Sequence, residues 1–448
     1  MAIVAIISKK KAAPSSFLVD DFFTRKDTNK ENNKMQLSLK TILNFKEKHQ
    51  DFVYRNIKLS FQRIEVLVEP RKRSKAICSG CGNRCSGYDR LPQREFIHVP
   101  IWGLAVIFLY CMRRVSCSDC GITVERVPWS TGKSPLTTGY AWFLSEWAKL
   151  LSLQEVARQF KTSWHHVFSG VAMAVEWGRE RLDLTNITAL GVDEIYWARK
   201  SFLTVVYQID NHCKRLIWCG ENRKEATIRL FFNWFTAERS EKLKFICSDM
   251  WRPYLKVIAE KAVNALNILD RFHVAQKLGE AVDDVRAAET RALKAKGKDV
   301  ILKHSRWCFL KNPENLTDNQ KVKLKDLLAC NLKTIRAYLL KEDFQNFWDY
   351  SSATWAGKFL DQWCTQVMRS KLEPMKKVAK TIRSHKRLLR NWFEAKNQIS
   401  LGAVEGQNNK AKVVIRKSYG FKTAEILKIM LYHKLGKLPV PELAHKYF

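Results

Sequence analysis

Two aspartates and a glutamate, far apart along the chain, have the residue type and setting needed to hold a cation: Asp193 in GVDE, Asp249 in SDMWRPY and Glu405 in AVEGQNNKAK. A carboxylate at the end of a strand binds a divalent cation only if further oxygens converge on it from neighbouring elements. Asp193 and Asp249 would form such a pair, with Glu405 as the third ligand. Alone, Asp193 is as compatible with a solvated surface role; the partners make the case. Four thiols form a second donor set, Cys78 and Cys81 in CSGCGNRC and Cys117 and Cys120 in CSDCG. Two CxxCG knuckles joined by a β-rich interval have the spacing of a tetrahedral zinc site, because each knuckle turns tightly enough to present both sulfurs and its glycine relieves the turn. With four thiolates no coordination position stays open, so this Zn²⁺ would be structural. Cys85 and Cys111 are left over, and either could substitute for a ligand.

The elements around Asp193 follow from the apolar pattern. Thr188 to Asp210 reads as two strands joined by a basic turn, the first ending on Asp193 and the second covering Phe202 to Ile209. Further strands are expected at Arg215 to Cys219, Lys244 to Cys247 and Ala265 to Leu269, with helices at Lys224 to Ala237 and Arg252 to Ala262. The order βββαβαβ, closed by a later helix, is that of a ribonuclease-H-like sheet. The fold class is therefore α/β and multidomain. Glu194 points to the opposite face from Asp193. On the later helix Glu405, Asn408, Asn409, Lys412 and Arg416 share one face at helical spacing, a metal ligand followed by amide and cationic groups suited to phosphates and bases. Arg252 follows Asp249 closely enough to touch a phosphate, whereas Trp251 and Tyr254 are as compatible with packing.

Upstream, residues 1–36 have little periodicity and read as a disordered leader. A zinc-ribbon unit spans 37–130, with a helix over Leu37 to Tyr54, a strand from Ile57 to Val68, and ribbon strands at Arg94 to His98 and Leu104 to Cys111. Residues 137–182 read as helices at Tyr140 to Leu150, Leu151 to Phe160 and Trp164 to Trp177; the turn at KTSW, with Ser163 as N-cap, gives a helix-turn-helix. If that unit enters a DNA groove, Thr162, His165 and His166 head the recognition helix; the alternative is plain helix packing. The sheet domain then covers 188–278 and is completed by 401–448, whose tail from Tyr419 to Leu435 reads as helix. Between them, 279–400 is helical almost throughout and too long for a loop, so it is an all-α insertion. Most of its tryptophans, Trp307, Trp348, Trp355, Trp363 and Trp392, should be core. Lys380 to Trp392 is its best candidate for gripping a DNA backbone.

The charge balance points the same way. Lys and Arg number 78 against 44 acids, a formal +34 with pI near 9.8, a field that favours polyanions. A membrane surface is the competing partner, but no apolar run approaches the roughly 20 residues a spanning helix needs. The opening MAIVAIIS is short for a signal core and precedes its basic cluster, so secretion is not indicated. Twelve cysteines, several isolated in strands or helices, fit a reducing cytoplasm.

GVDE, SDMWRPY and AVEGQNNKAK, together with LSLKTILNF, the paired CxxC motifs, LDRFHVAQKL and WCFLKNPENLT, resemble the D-D-E transposases of bacterial insertion sequences, most closely the ISL-three family. The resemblance runs from about Met35 onward. It implies a transposase that binds the terminal inverted repeats of its element and carries out metal-dependent strand cleavage and transfer. Asp193, Asp249 and Glu405 would then be the catalytic triad, holding Mg²⁺ or Mn²⁺, with double-stranded DNA as partner and a homo-oligomer in the synaptic complex. Asp270 and His273 in LDRFHV are similar to an acid-x-x-His motif of several transposase groups, in which His273 would position the scissile phosphate or the attacking group; a helix-capping histidine is the other reading. A structure-specific nuclease of the same fold, or a zinc-dependent DNA-binding regulator descended from a transposase, are the alternatives.

Overall fold

The computed structural model describes residues 38–46, 49–297, 301–330, 332–395, 398 and 402–442. The leader expected over residues 1–36 lies outside the described residues.

The first unit opens with α1 (Leu39–Lys46), followed by β1 (Phe52–Leu59), β2 (Arg63–Pro70), β3 (Ala76–Ile77), β4 (Arg84–Ile101), β5 (Leu104–Cys117) and β6 (Gly121–Val124). They pair in the order β1-β2-β5-β4-β3, with β6 on the edge of β5. Two sequence expectations are corrected here. The helix stops at Lys46 rather than reaching Tyr54, and the single strand over Ile57 to Val68 is a hairpin. The reason is alternation: Phe52 and Tyr54, then Ile64, Val66 and Val68, point inward with a period of two, and Ser60 closes the turn by donating from its N–H and hydroxyl to the Arg63 carbonyl, both at 3.0 Å. Their side chains pack around Trp129, whose ring lies 4.8 Å from Phe52 and 5.3 Å from Tyr110. Beneath it Glu125 is fully buried but satisfied, accepting from the Tyr110 hydroxyl at 2.6 Å and pairing with Arg113 at 2.7 Å.

Three helices follow, α2 (Thr138–Leu150), α3 (Leu153–Gln159) and α4 (Trp164–Glu180), each opened by a hydroxyl cap from Thr137, Ser152 or Ser163. They do not stand apart from the rest. The Lys417 ammonium donates to the Leu150 carbonyl at 2.6 Å and that of Lys434 to the Lys149 carbonyl at 2.7 Å, so lysines from the C-terminal helices cap the end of α2.

The second sheet comprises β7 (Ala189–Ala198), β8 (Ser201–Gln208), β9 (Arg215–Glu221), β10 (Phe245–Ser248) and β11 (Leu266–Leu269), with α5 (Glu225–Phe235), α6 (Ala237–Glu241) and α7 (Arg252–Lys261) in the connections. The order is β11-β10-β7-β8-β9. β7, β8 and β9 form an antiparallel meander, whereas β10 runs parallel to both β7 and β11. Both faces are covered, which explains the near-continuous apolar runs. Leu190, Val192, Val206 and Ile217 pack on α5 and α7. Ala189, Ile195, Leu203, Val205 and Tyr207 belong to the other face, under the C-terminal helices. The first strand continues past Asp193 to Ala198, contrary to expectation, because its pairing with β8 extends to Ala198 and Ser201.

α8 (Arg271–Ala295) leads into a helical region of α9 (Arg306–Leu310), α10 (Asp318–Leu328), α11 (Lys333–Gln345), α12 (Ala353–Arg369), α13 (Glu373–Ser384) and α14 (Lys386–Ala395). Trp348, Trp363 and Trp392 are buried there, while Trp307 and Trp355 are 53% and 60% exposed. α14 returns the chain to the sheet, where Asn391 donates to the Asn267 carbonyl at 2.6 Å. α15 (Ala403–Lys417) and α16 (Ala424–Leu435) complete the fold. The expected helix does not begin at Tyr419: Tyr419 and Gly420, at φ +53° and +93°, break the path, and Thr423 caps a new start. Among the described residues no helix is long and apolar enough to cross a membrane.

Candidate active site and cysteine centre

Strand register sets the geometry of the acids. Val192 pairs with Ser248 across β7 and β10, and Ser248 pairs with Leu269 across β10 and β11. The next residue in each case is an aspartate, so Asp193, Asp249 and Asp270 lie level along one edge of three neighbouring parallel strands. GVD, CSD and ILD each carry an apolar or small strand residue followed by the acid, and that repeated ending was legible in the sequence. Asp270 nevertheless spends its carboxylate locally. One oxygen caps α8 by accepting from the Phe272 N–H at 2.8 Å and the other lies 3.2 Å from Nδ1 of His273.

Asp193 is 6% exposed. Burial pushes its carboxyl up to about 6, against the opposing pull of His273 and the Glu194 N–H, and the charges of Asp249 and Asp270 push it further. Asp249 is raised as well, chiefly by burial; the Trp251 N–H, His273, Lys277 and Arg223 pull it back. His273 is raised too, to about 9, which for an imidazole favours the charged form: its hydrogen bond to Asp270 is the largest cause, and the negative field of Asp193, Asp270 and Asp249 adds to it against the cost of burial. A charged imidazolium among partly destabilised carboxylates results, an arrangement ready to accept positive charge and to contact an anion.

α15 crosses directly over β7. A Cβ on Gly191 would come within 2.3 Å of Val404, so only glycine lets the helix lie this close. One turn after Val404, buried Asn408 donates from Nδ2 to Asp193 and accepts from the Tyr207 hydroxyl at 2.9 Å. Asn408 therefore turns inward to the acid, and the outward stripe is Glu405, Asn409, Lys412 and Arg416, all exposed. Glu405 borders a cavity of about 1040 Å³ that it shares with Asp270, Arg271, Arg306 and Trp307. It stays on that rim: among the described residues no three acids or histidines bring ligand atoms all within 4.8 Å of one another. The structure thus sets Asp193 beside Asp249 and ties the glutamate's helix to Asp193, while the Glu405 carboxylate itself does not close on the pair. Arg252 is exposed at the start of α7, Tyr254 is core, and Thr162 lies 3.0 Å from His166 with His165 exposed beside it.

The cysteines present the opposite picture. The sulfurs of Cys78, Cys81, Cys117 and Cys120 all lie within 4.8 Å of one another, compatible with the S···S spacing of roughly 3.8 Å that a tetrahedron with bonds of about 2.3 Å demands. Gly82 and Gly121 adopt φ +80° and +71°, the turns the knuckles need. The Thr123 hydroxyl and the backbone N–H groups of Cys81 and Gly80 lower Cys78 to about 6, and backbone N–H groups of Asp119 and Cys120 lower Cys117. Cys85 packs against the group but lies outside it, and Cys111 sits on β5 opposite Gln93.

This two-sheet α/β architecture, with paired aspartates at a parallel strand edge and a glutamate helix across it, places the chain in a defined class. Residues 190–431, over half of the chain, match the model of the ISL-three family, described as transposase, and the chain belongs to that family. It is similar to the transposase for insertion sequence element IS1001 of Bordetella parapertussis, 28% identical over 78% of this chain and 86% of that protein. It is also similar to the transposase for insertion sequence element IS1557 of Mycobacterium tuberculosis, 28% identical over 82% of this chain and 87% of that protein.

Proposed function

We propose that the protein binds the terminal inverted repeats of its insertion element and catalyses metal-dependent strand cleavage and strand transfer, using a ribonuclease-H-like core formed by β7 to β11 with α15. The observation that carries this reading is the level pairing of Asp193 and Asp249 on adjacent parallel strands, with Asn408 of the glutamate helix bonded to Asp193. Asp193, Asp249 and Glu405 would hold Mg²⁺ or Mn²⁺; hard carboxylate oxygens suit these ions. Such ions, when bound, lower the pKa of an attacking water or 3′-hydroxyl and stabilise the leaving oxygen. The chain's own residues do the rest. Asn408 would fix the orientation of Asp193, and His273, held charged by Asp270, would contact the scissile phosphate or the attacking group. The exposed Arg252, Asn409, Lys412 and Arg416 would contact flanking phosphates, and the basic run from Lys380 to Trp392 would grip the backbone farther out.

The four cysteines would hold a structural Zn²⁺ in a ribbon, and α2 to α4 would serve as a helix-turn-helix with Thr162, His165 and His166 toward bases. Two copies would act together on paired ends. The test is incubation of the full chain with duplexes carrying the element's terminal repeats and Mg²⁺ or Mn²⁺. Nicking at the element end and joining to target DNA are expected, and Asp193→Ala should abolish both while still binding the ends. Nicking without joining would favour a nuclease, and binding without nicking a regulator.

A further inference from the structure

We propose that Arg223 is a DNA-binding residue of this site, a pre-set clamp for a backbone phosphate next to the one being cleaved. The inference rests on the reading of Asp193 and Asp249 given above. Arg223 lies in the short link between β9 and α5, just after Asn222 at φ +69°. Its guanidinium stands 4.4 Å from the centre of the Phe202 ring and 4.9 Å from that of Trp251. Both rings and the charge are therefore held as one unit. Nη1 donates to Glu194 at 2.9 Å, and the Trp251 indole N–H donates to the Arg223 carbonyl at 3.1 Å. The Trp251 backbone N–H in turn donates to Asp249 at 2.9 Å.

This places one cation against both aspartate-bearing segments. Glu194 is the neighbour of Asp193 on β7, and Trp251 follows Asp249 by two residues. Arg223 also joins His273 and Lys277 among the groups whose field acts on Asp249. The Arg223 side chain is 41% exposed while it pairs with Glu194, so its outer edge is open to solvent. Among the described residues the guanidinium donates to Glu194 alone, and the other donors of its planar fork can take an anion in two parallel hydrogen bonds, the geometry that a phosphodiester offers and a lysine could not match. Holding the guanidinium between two rings removes most of the rotamer freedom that binding would otherwise cost. The exposed Tyr196, 5.3 Å from Phe202, continues the aromatic surface along which a strand would run.

The experiment uses the full chain and duplexes of the terminal repeats in which single phosphates near the cleavage position are replaced by uncharged methylphosphonates. Binding to uncleaved duplex and cleavage with Mn²⁺ are both measured. In the wild type one replacement should weaken binding and cleavage by roughly 10- to 100-fold. Arg223→Ala should lose a similar factor on the natural duplex and lose nothing more when that phosphate is neutralised, with Arg223→Lys in between. Equal sensitivity of wild type and Arg223→Ala to every replacement would overturn the proposal and leave Arg223 as a strut for Trp251. Unchanged binding and cleavage by Arg223→Ala would overturn it too. Where thermal melting shows that Arg223→Ala is unstable, Arg223→Lys carries the same comparison. Asp193→Ala is run in parallel: normal cleavage by that variant would refute the metal-site reading, whereas the phosphate coupling in binding reports on Arg223 alone.

Discussion

The cysteine centre and the carboxylate site are both sets of metal-type donors, and they are built in opposite ways. The thiols come from two knuckles joined by one long hairpin, with backbone N–H groups aimed at the sulfurs and all four sulfurs drawn within 4.8 Å. The carboxylates come from β7, the end of β10 and α15, spread over nearly half of the chain, and Glu405 remains at the rim while Asp193 and Asp249 are held in a setting that penalises their charge. The first arrangement converges four donors on one point; the second holds two carboxylates whose charge burial disfavours, with the third acid standing apart. Removing metal should therefore act on stability in one region and on chemistry in the other.

The largest expected effect breaks the first half of that comparison. Structural zinc in small units contributes on the order of 10 kcal/mol, so chelation, or Cys117→Ser, should unfold the β1 to β6 unit. Tryptophan fluorescence from Trp129 would report the loss, and melting of the second sheet should persist at higher temperature. Next comes Asp193→Asn, which should lower strand cleavage by about 10³-fold or more while raising the stability of the metal-free protein. The sign follows from the raised carboxyl: protonation is favoured in the folded state, so the ionised group costs stability once pH rises from 3.8 through about 6. Above pH 7 that relief is offset in part by one lost hydrogen bond, because a carboxamide cannot accept from both the Glu194 N–H and Asn408 Nδ2, so a modest rise in melting temperature is expected. A variant that melts below the wild type at pH 8 would mean that Asp193 is a structural acid.

Much of the second sheet was legible in sequence because fully buried strands make apolar runs with sharp ends. The apolar runs Phe202 to Ile209 and Arg215 to Cys219 end within two residues of the bounds of β8 and β9. The N-terminal hairpin was not: in FVYRNIKL, Arg55 and Asn56 interrupt the alternation at a register shift between Tyr54 and Ile57, which blurred the period of two. The knuckles were readable since their donors are local. In sequence Asn408 reads as part of a phosphate-facing stripe, yet its inward turn depends on where Gly191 lets α15 settle. Arg223 carried no signal, because its meaning lies in Phe202, Trp251 and Glu194, none of them near it in sequence.

Gly191→Ala probes how tightly the dispersed site depends on packing. The added methyl must push Val404 away, and with it Asn408 and Glu405, at a cost of about 1–3 kcal/mol. Cleavage should fall more than end binding, since the helix carrying Glu405 shifts against Asp193. Equal loss of both, or of neither, would separate the helix crossing from the chemistry.

The smallest effect concerns the charge that the open site keeps in reserve. His273 is raised to about 9, with the hydrogen bond it donates to Asp270 as the largest cause. A histidine raised on folding stabilises the protein fully below its unfolded value near 6.5, and that contribution is lost as pH climbs through 9. The metal-free wild type should therefore lose melting temperature between pH 6.5 and 9. In Asp270→Asn the imidazole loses its main anionic partner, so the slope over that window should shrink while stability at pH 9 changes little beyond the weakened cap of α8. The cysteine centre predicts no such window for the first unit once its thiolates are bound, so resolving the two melting transitions by pH tells the regions apart. An undiminished slope in Asp270→Asn would place the titrating charge elsewhere and remove His273 from the reaction's electrostatics.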